Sequence, residues 1–274
     1  MFNMTKPRWW LYVLLTVLLL AVITPFVWMV LGSFKTQAEL LQNPPTWLPA
    51  NPTLDNYARL FDRLSFSRFF FNSTVVAVFV TLGNLLFSSM LGYALAHLKY
   101  PGKNVIFAAV LGTLMVPGLV LFIPQFVLIV NAGLANTLPA LILPFLVQPF
   151  GVFLMRQFFL SLPGELKEAG RIDGVGEIGI FFRIYLPLAV PAFATLGILT
   201  FLGSWNNFLW PLVVATTERT YTLPVALALV STGQNQADYG LLLAGATIVV
   251  APILLVFLFF QRYFIEGIAT TGIK

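Results

Sequence analysis

Glu168-Ala169-Gly170-Arg171-Ile172-Asp173-Gly174, running on to Ile184-Tyr185-Leu186-Pro187, is the most charged passage of a very apolar chain. Glu165, Lys167, Glu168, Arg171, Asp173, Glu177 and Arg183 crowd between two long hydrophobic segments. Charge at that density is excluded from lipid, so the passage lies in water or against another protein. Its local chemistry predicts two short helices with a break between them. Ser161 before Leu162-Pro163 is the expected N-cap, and Asp173-Gly174 supplies a stop that tolerates positive φ. Leu162, Leu166, Ala169 and Ile172 or Asp173 recur at helical spacing and form a narrow apolar face. Two uses fit such a helix: it is laid into a groove on a partner, or it rests on the membrane surface between two spans.

The rest of the chain decides the fold class. Its 274 residues are 59% hydrophobic and 9% charged, with mean hydropathy +0.90. No single soluble core hides that much apolar surface, so the chain reads as an all-α polytopic membrane protein. A net charge of +5 would suggest nucleic acid in a soluble protein. Here the basic residues flank apolar runs, where membrane orientation accounts for them, and no nucleic-acid role is expected. The absence of cysteine excludes disulfides, thiolate metal sites and a thiol nucleophile. His97, the only histidine, has no ligand cluster to join and reads as a solvated interface residue.

Length and punctuation predict six spans in one transmembrane domain, residues 1–274, at about 9–32, 69–95, 105–130, 138–159, 185–214 and 239–260. The first run is longer than a signal-peptide core and lacks a cleavage site, so it is expected to be retained. An external loop covers 33–68 and the charged loop covers 161–184, on the opposite side. Lys6, Arg8, Lys99, Lys103, Arg156, Lys167, Arg171, Arg183, Arg262 and Lys274 then fall inside, against Lys35, Arg59, Arg63, Arg68 and Arg219 outside. That bias predicts cytoplasmic termini.

Polar residues inside the spans leave alternatives open. Asn72, Ser73, Thr74, Thr81, Asn84, Ser88 and Ser89 in the second span either tie helices together or line a solute path. Pro117-Gly118 and Pro124-Gln125 predict a break in the third span, facing protein or a water-filled cavity. The fourth carries Pro144, Gln148 and Pro149. Trp205-Asn206-Asn207-Phe208-Leu209-Trp210-Pro211 in the fifth reads either as an interfacial aromatic belt or as rings and amides facing a sugar.

Glu168-Ala169, Asp173-Gly174, Ile184 and Leu186-Pro187 resemble the EAA motif of the membrane subunits of binding-protein-dependent ABC importers. In that family the loop forms the coupling helices seated in a cleft of the cytoplasmic ATPase. The resemblance therefore implies ATPase coupling for Glu168, Ala169, Gly170, Asp173, Gly174, Leu186 and Pro187. Gly170 stands where the family usually has a second Ala. Asn51-Pro52-Thr53-Leu54-Asp55-Asn56-Tyr57, Gly151 to Phe159, Trp205 to Pro211 and the terminal Tyr263-Phe264-Ile265-Glu266-Gly267 resemble the carbohydrate branch, in particular the maltose-type second permease. Asn207 stands where that branch often has Asp, which removes an intramembrane acid.

The resemblance implies a type I ABC importer permease fold in the inner membrane of a prokaryote, serving sugar import. Implied partners are a second homologous permease, two ATPase subunits and an extracytoplasmic sugar-binding protein, besides membrane lipid. ATP and Mg belong on the ATPase subunits, with no cofactor or metal in this chain. Asn84, Gln125, Trp205, Asn206, Asn207 and Trp210 are the expected solute-path residues. The alternative is a secondary, ion-coupled transporter. It would need an intramembrane Asp, Glu or His, absent from the spans as drawn, or sodium held by backbone carbonyls. An enzyme is disfavoured because no span carries paired carboxylates, a histidine cluster or a nucleophile-base pair.

Overall fold

A computed structural model describes residues 9–63, 65–231 and 238–271, with the side chains of 63, 230, 231 and 260–271 left aside. Lys6, Arg8, Lys274 and the side chains of the terminal Tyr263-Phe264 passage lie outside the described residues. All regular structure among the described residues is helical. The helices are α1 Trp9–Ser33, α2 Gln37–Leu40, α3 Asp55–Arg63, α4 Phe66–His97, α5 Lys103–Met115, α6 Gly118–Asn131, α7 Leu138–Ile142 and α8 Pro149–Ser161. There follow α9 Glu165–Ile172, α10 Glu177–Ile180, α11 Leu186–Leu188, α12 Val190–Trp205, α13 Leu209–Val214, α14 Leu223–Ser231 and α15 Tyr239–Thr271.

By length and composition α1, α4 and residues 239–259 of α15 can each cross a membrane alone. Three bent pairs bring the number to six if each pair is one span: α5 with α6 at 107°, Leu138–Phe145 (α7 and the 3-10 turn after it) with α8 at 41°, and Glu177–Leu188 with α12 at 81°. The first bend falls at Val116-Pro117, where the proline cannot donate to the helix and Val116 is extended. Pro124, by contrast, sits inside α6 without ending it. The stretch 185–214, read as one span, is interrupted at Ala189 and again at 206–208, after which α13 begins. α15 continues past residue 260 to Thr271, with no proline after Pro252 to end it.

The chain divides into two compact units. In the first, Met1–Phe66 with Leu227–Pro252, the loop after α1 is an ordered platform rather than a plain connection. Asn56 donates from Nδ2 to the Ser33 and Lys35 carbonyls, 2.7 Å each, and Arg59 pairs with Asp238. Lys35 is buried under the Trp28 ring, 4.8 Å from its centroid, and donates to Thr46. The Glu39 carboxylate, accepting from the Ala50 amide and the Thr46 hydroxyl, is held below the ordinary carboxylate range.

The second unit, Ser67–Ala226 with Ile253–Lys274, holds both regions singled out in the sequence. One core packs Tyr93, Met155, Phe159, Ile180, Phe181, Tyr185 and Leu196, joining α4, α8 and α12 to the charged loop. A second packs Val76, Val80, Ile129, Leu141, Trp210 and Val214. Polar residues of α4 close it against neighbours: Asn72 donates to the Arg219 and Tyr221 carbonyls at 2.9 Å each, and Ser73 accepts from the Leu223 amide. Asn136, at φ 58, accepts at Oδ1 from Thr216, Thr217 and Thr220 and pins the same connection.

Candidate functional site

The charged loop folds as two helices around Asp173-Gly174. Gly174 has φ 75, its N–H reaches the Arg171 carbonyl at 3.0 Å, and the Val175 N–H reaches the Gly170 carbonyl at 2.9 Å. This is a Schellman stop, which requires a left-handed residue at the glycine position. The expected cap at Ser161 is not used. Ser161 ends α8, where its hydroxyl donates to the Phe158 carbonyl, and α9 starts after Gly164. Proline at 163 accounts for this, because it forbids helical backbone at Leu162, whose ψ is 145.

The apolar face read along Leu162, Leu166, Ala169 and Ile172 is also divided. Leu162 and Leu166 pack inward on the core, together with Gly170. Glu168, Ala169, Asp173 and Gly174 are exposed, and Ile172 is 86% exposed. The division arises because α9 lies directly on the following helix: a Cβ at Gly170 would stand 2.9 Å from Ile184 Cδ1 and 3.1 Å from Ile180 Cγ1. The missing methyl permits this approach, so Gly170 serves the chain's own packing rather than the outer surface. The outward face combines acids with two isoleucines, Ile172 and Ile178, the latter 75% exposed.

Glu177 ties this loop to α4. Its carboxylate accepts from Arg171 Nε at 3.0 Å and from the Tyr93 hydroxyl at 3.1 Å, and pairs with Lys167 Nζ at 3.3 Å. Lys167 is only 8% exposed and also donates to the His97 carbonyl at 2.7 Å. Burial pushes the Glu177 carboxyl up, but the hydrogen bonds from Arg171 and Lys167 outweigh it and hold the group below the ordinary range. His97 is not the solvated residue expected. Its ring lies 4.5 Å from Tyr185 and its Nε2 meets the Phe159 carbonyl at 3.0 Å. Beyond Glu177 the helix passes through a π-type segment, Phe181–Tyr185, in which the Leu186 N–H bonds to the Phe181 carbonyl. Leu186 is half-buried on the core and Pro187 is exposed, just before the 81° bend into α12.

A second feature lies among α4, α6, α8, α12 and α13. A cavity of about 190 Å³ is lined by Gln148, Thr200, Ser204 and Asn207 with Val80 and Phe145. Phe145 and Asn207 also wall an adjoining groove of about 450 Å³, which carries Gln125, Phe122, Leu209 and Trp210. Of the expected solute-path residues, Gln125, Asn207 and Trp210 meet here. Asn84 stands behind the wall, fully buried, donating to Thr200 Oγ1 at 2.8 Å and accepting from Ser88 and the Gln148 amide. Asn206 faces away and donates to the Leu202 carbonyl. Trp205 and Trp210 are each 2% exposed within the chain. Trp205 stacks on Phe201 and meets Phe70 edge-on, while Trp210 donates from Nε1 to the Ala140 carbonyl at 3.0 Å. Neither indole sits at an interface as a belt residue. Gln148, noted in the fourth span, was not placed on the solute path, and Thr200 and Ser204 were not singled out in the sequence, although 200, 204 and 207 recur at helical spacing and so mark one polar face.

Broken apolar helices around a small polar cavity, with a charged and partly apolar helix braced against them, are the arrangement of a membrane transport subunit. The chain belongs to the binding-protein-dependent transport system inner membrane component family, whose model matches residues 1–270. It is therefore an ABC importer permease subunit of the inner membrane, a component that in general works with a partner permease, an ATPase and a binding protein. Family membership leaves the ion-coupled alternative without support. The chain is 44% identical over 253 residues to the arabinooligosaccharides transport system permease protein AraQ of Halalkalibacterium halodurans, covering 91% of this chain and 90% of that protein. It is 36% identical to the diacetylchitobiose uptake system permease protein NgcG of Streptomyces coelicolor, covering 88% and 80%. Among solved structures, a chain of a bacterial ABC transporter involved in the import of the acidic polysaccharide alginate matches with TM-score 0.83 at 25% identity, over 92% of this chain and 94% of that one.

Proposed function

We propose that this chain forms one half of the translocation path of an oligosaccharide importer, working with a second homologous permease, two ATPase subunits and an extracytoplasmic sugar-binding protein. ATP and Mg reside on the ATPase subunits, and the chain spans the membrane six times as one permease domain with both termini inside. The observation that carries the reading is the amide and hydroxyl lining of Gln125, Gln148, Thr200, Ser204 and Asn207 within an apolar helix set. A sugar needs such donors and acceptors together with ring faces such as Phe122 and Phe145. No ionisable group lines it, which suits a neutral solute moved by energy supplied elsewhere. Relatives named for arabinooligosaccharides and diacetylchitobiose support an oligosaccharide, and arabinooligosaccharides are the first class to test. Glu168, Ala169, Ile172 and Asp173 supply the face that docks on the ATPase, while Gly170, Gly174, Leu186 and Pro187 hold that face in place.

The test is uptake of labelled arabinooligosaccharide by the assembled importer in vesicles. Losing one polar partner in a buried site costs about 1–3 kcal/mol, so Gln125→Leu and Asn207→Leu should each lower uptake about fivefold or more. Asn206→Leu, outside the groove, should change it less than about twofold. Normal uptake by both groove variants in an intact complex would refute the assignment.

A further inference from the structure

The turn between α4 and α5 carries cations that the chain does not neutralise. Between Asp62 and Glu165 the sequence contains no Asp or Glu, while Lys99, Lys103 and Arg156 all fall within that stretch. Among the described residues none of the three has a carboxylate at ion-pair distance, and Glu177 is occupied by Lys167 and Arg171. Lys103 donates to the Ala96 and Leu98 carbonyls at 2.9 and 3.1 Å, leaving one ammonium hydrogen unassigned, and it feels the charges of Arg156 and Lys167. Arg156 is fixed over the Phe107 ring at 3.8 Å, with Nε donating to the Leu95 carbonyl. Beside these groups the turn encloses an open cavity of about 410 Å³, lined by Lys99, Tyr100, Lys103 and Asn104 between Leu98 and Val105. From its rim α5 runs on with apolar residues turned outward, Val105 72% and Ile106 42% exposed, then Leu111 and Leu114.

We propose that this cavity binds the phosphate of an anionic phospholipid whose acyl chains lie along the exposed face of α5. Like cations held together without a counterion attract one from outside, and basic pockets between membrane helices accept phosphate headgroups. A free phosphate would satisfy the cations but leave the apolar face of α5 uncovered. The lipid satisfies both, and the Tyr100 hydroxyl and Asn104 amide can donate to it as well.

The experiment uses the complete importer, delipidated in detergent and titrated with phosphatidylglycerol or phosphatidylcholine, with bound lipids counted by native mass spectrometry. The wild type should retain phosphatidylglycerol over phosphatidylcholine. Lys99 is exposed and holds no helix end, so Lys99→Gln should assemble normally and retain about fivefold less phosphatidylglycerol. Lys103→Arg keeps the charge and should retain it as the wild type does. Equal phosphatidylglycerol on wild type and Lys99→Gln would overturn the proposal. Displacement of the lipid by excess inorganic phosphate, with no preference between the two lipids, would overturn it in favour of a free-anion site.

Discussion

Replacing Glu177 by Gln keeps the shape of the side chain and removes the charge that braces α9. The loss falls mainly on Lys167, 8% exposed, which loses its carboxylate partner and keeps the His97 carbonyl. Breaking a fully buried ion pair costs about 3–5 kcal/mol. Here the Glu177 side chain is 36% exposed and that of Arg171 59%. Solvent screening therefore reduces the expected cost to about 1–3 kcal/mol. The eight residues of α9 cannot hold a helix alone, so the loss appears as local opening rather than global unfolding. At about 1.4 kcal/mol per factor of ten, amide exchange across residues 165–177 should accelerate about 5- to 150-fold, with α4 unchanged. Hydrogen exchange of the assembled importer in nanodiscs, read by mass spectrometry beside solute-stimulated ATP hydrolysis, measures both consequences. Because the folded carboxyl lies below its ordinary value of 4.5, its contribution is fully present above that value and is lost as pH falls through the folded pKa. Wild-type protection should thus be flat across neutral pH and fall only in acid. Unchanged exchange in Glu177→Gln would refute the bracing role.

Three further substitutions separate local causes. Gly174→Val meets open space but must adopt φ 75, at a cost of about 1–2 kcal/mol or more, and should weaken copurification of the ATPase, whereas Gly174→Asn should largely retain it. Trp210→Phe leaves the Ala140 carbonyl without its indole partner and should lower the thermal stability of the complex by about 1–3 kcal/mol, read by a fluorescence melt. Asn84→Leu breaks contacts to Thr200, Ser88 and the Gln148 amide in a seam so close that a Cβ at Gly151 would stand 3.0 Å from its Oδ1, so it should lower detergent stability by about 1–2 kcal/mol.

What was legible in the sequence followed from features that act locally. Long apolar runs, Pro117-Gly118 and Asp173-Gly174 dictate helices, a break and a stop whatever surrounds them, and the structure has each in place. Facing was less legible. Leu166 and Ile172 are equally apolar, yet one packs on the core and the other is exposed, because Gly170 draws α9 onto Ile180 and Ile184, residues distant from that periodicity. Trp205 and Trp210 carry the composition of a belt and occupy the interior, since Phe70 arrives from α4 against Trp205, which also stacks on Phe201 of its own helix, and Phe122 and Phe145 arrive from elsewhere in the chain to enclose Trp210. Gln148 was noted but not placed on the solute path for a similar reason: a lone amide before a proline gains meaning only when α12 places Thr200 and Ser204 in the same cavity.

The charged loop and the polar cavity meet on one element. Tyr93, which donates to Glu177, and Asn84, which donates to Thr200, lie on α4, an unbroken helix of 32 residues. Nine residues of α-helix separate them by about 14 Å. The other covalent route, through α11 and α12, turns 81° at Ala189 and begins in a π-type segment, where backbone hydrogen bonds are more easily rearranged. A stiff rod passes on a displacement that a bend absorbs, so movement of α9 should reach the cavity through α4. The measurement is a double-mutant cycle between Glu177→Gln and Asn207→Leu, read as solute-stimulated ATP hydrolysis. Independent sites add within about 0.3–0.5 kcal/mol, and a larger interaction term is expected here. Placing the same cycle on a background with Pro at Ser89, inside α4, should abolish that term by kinking the rod between Asn84 and Tyr93. Additivity in the parent background would show instead that the two sites respond to the ATPase separately.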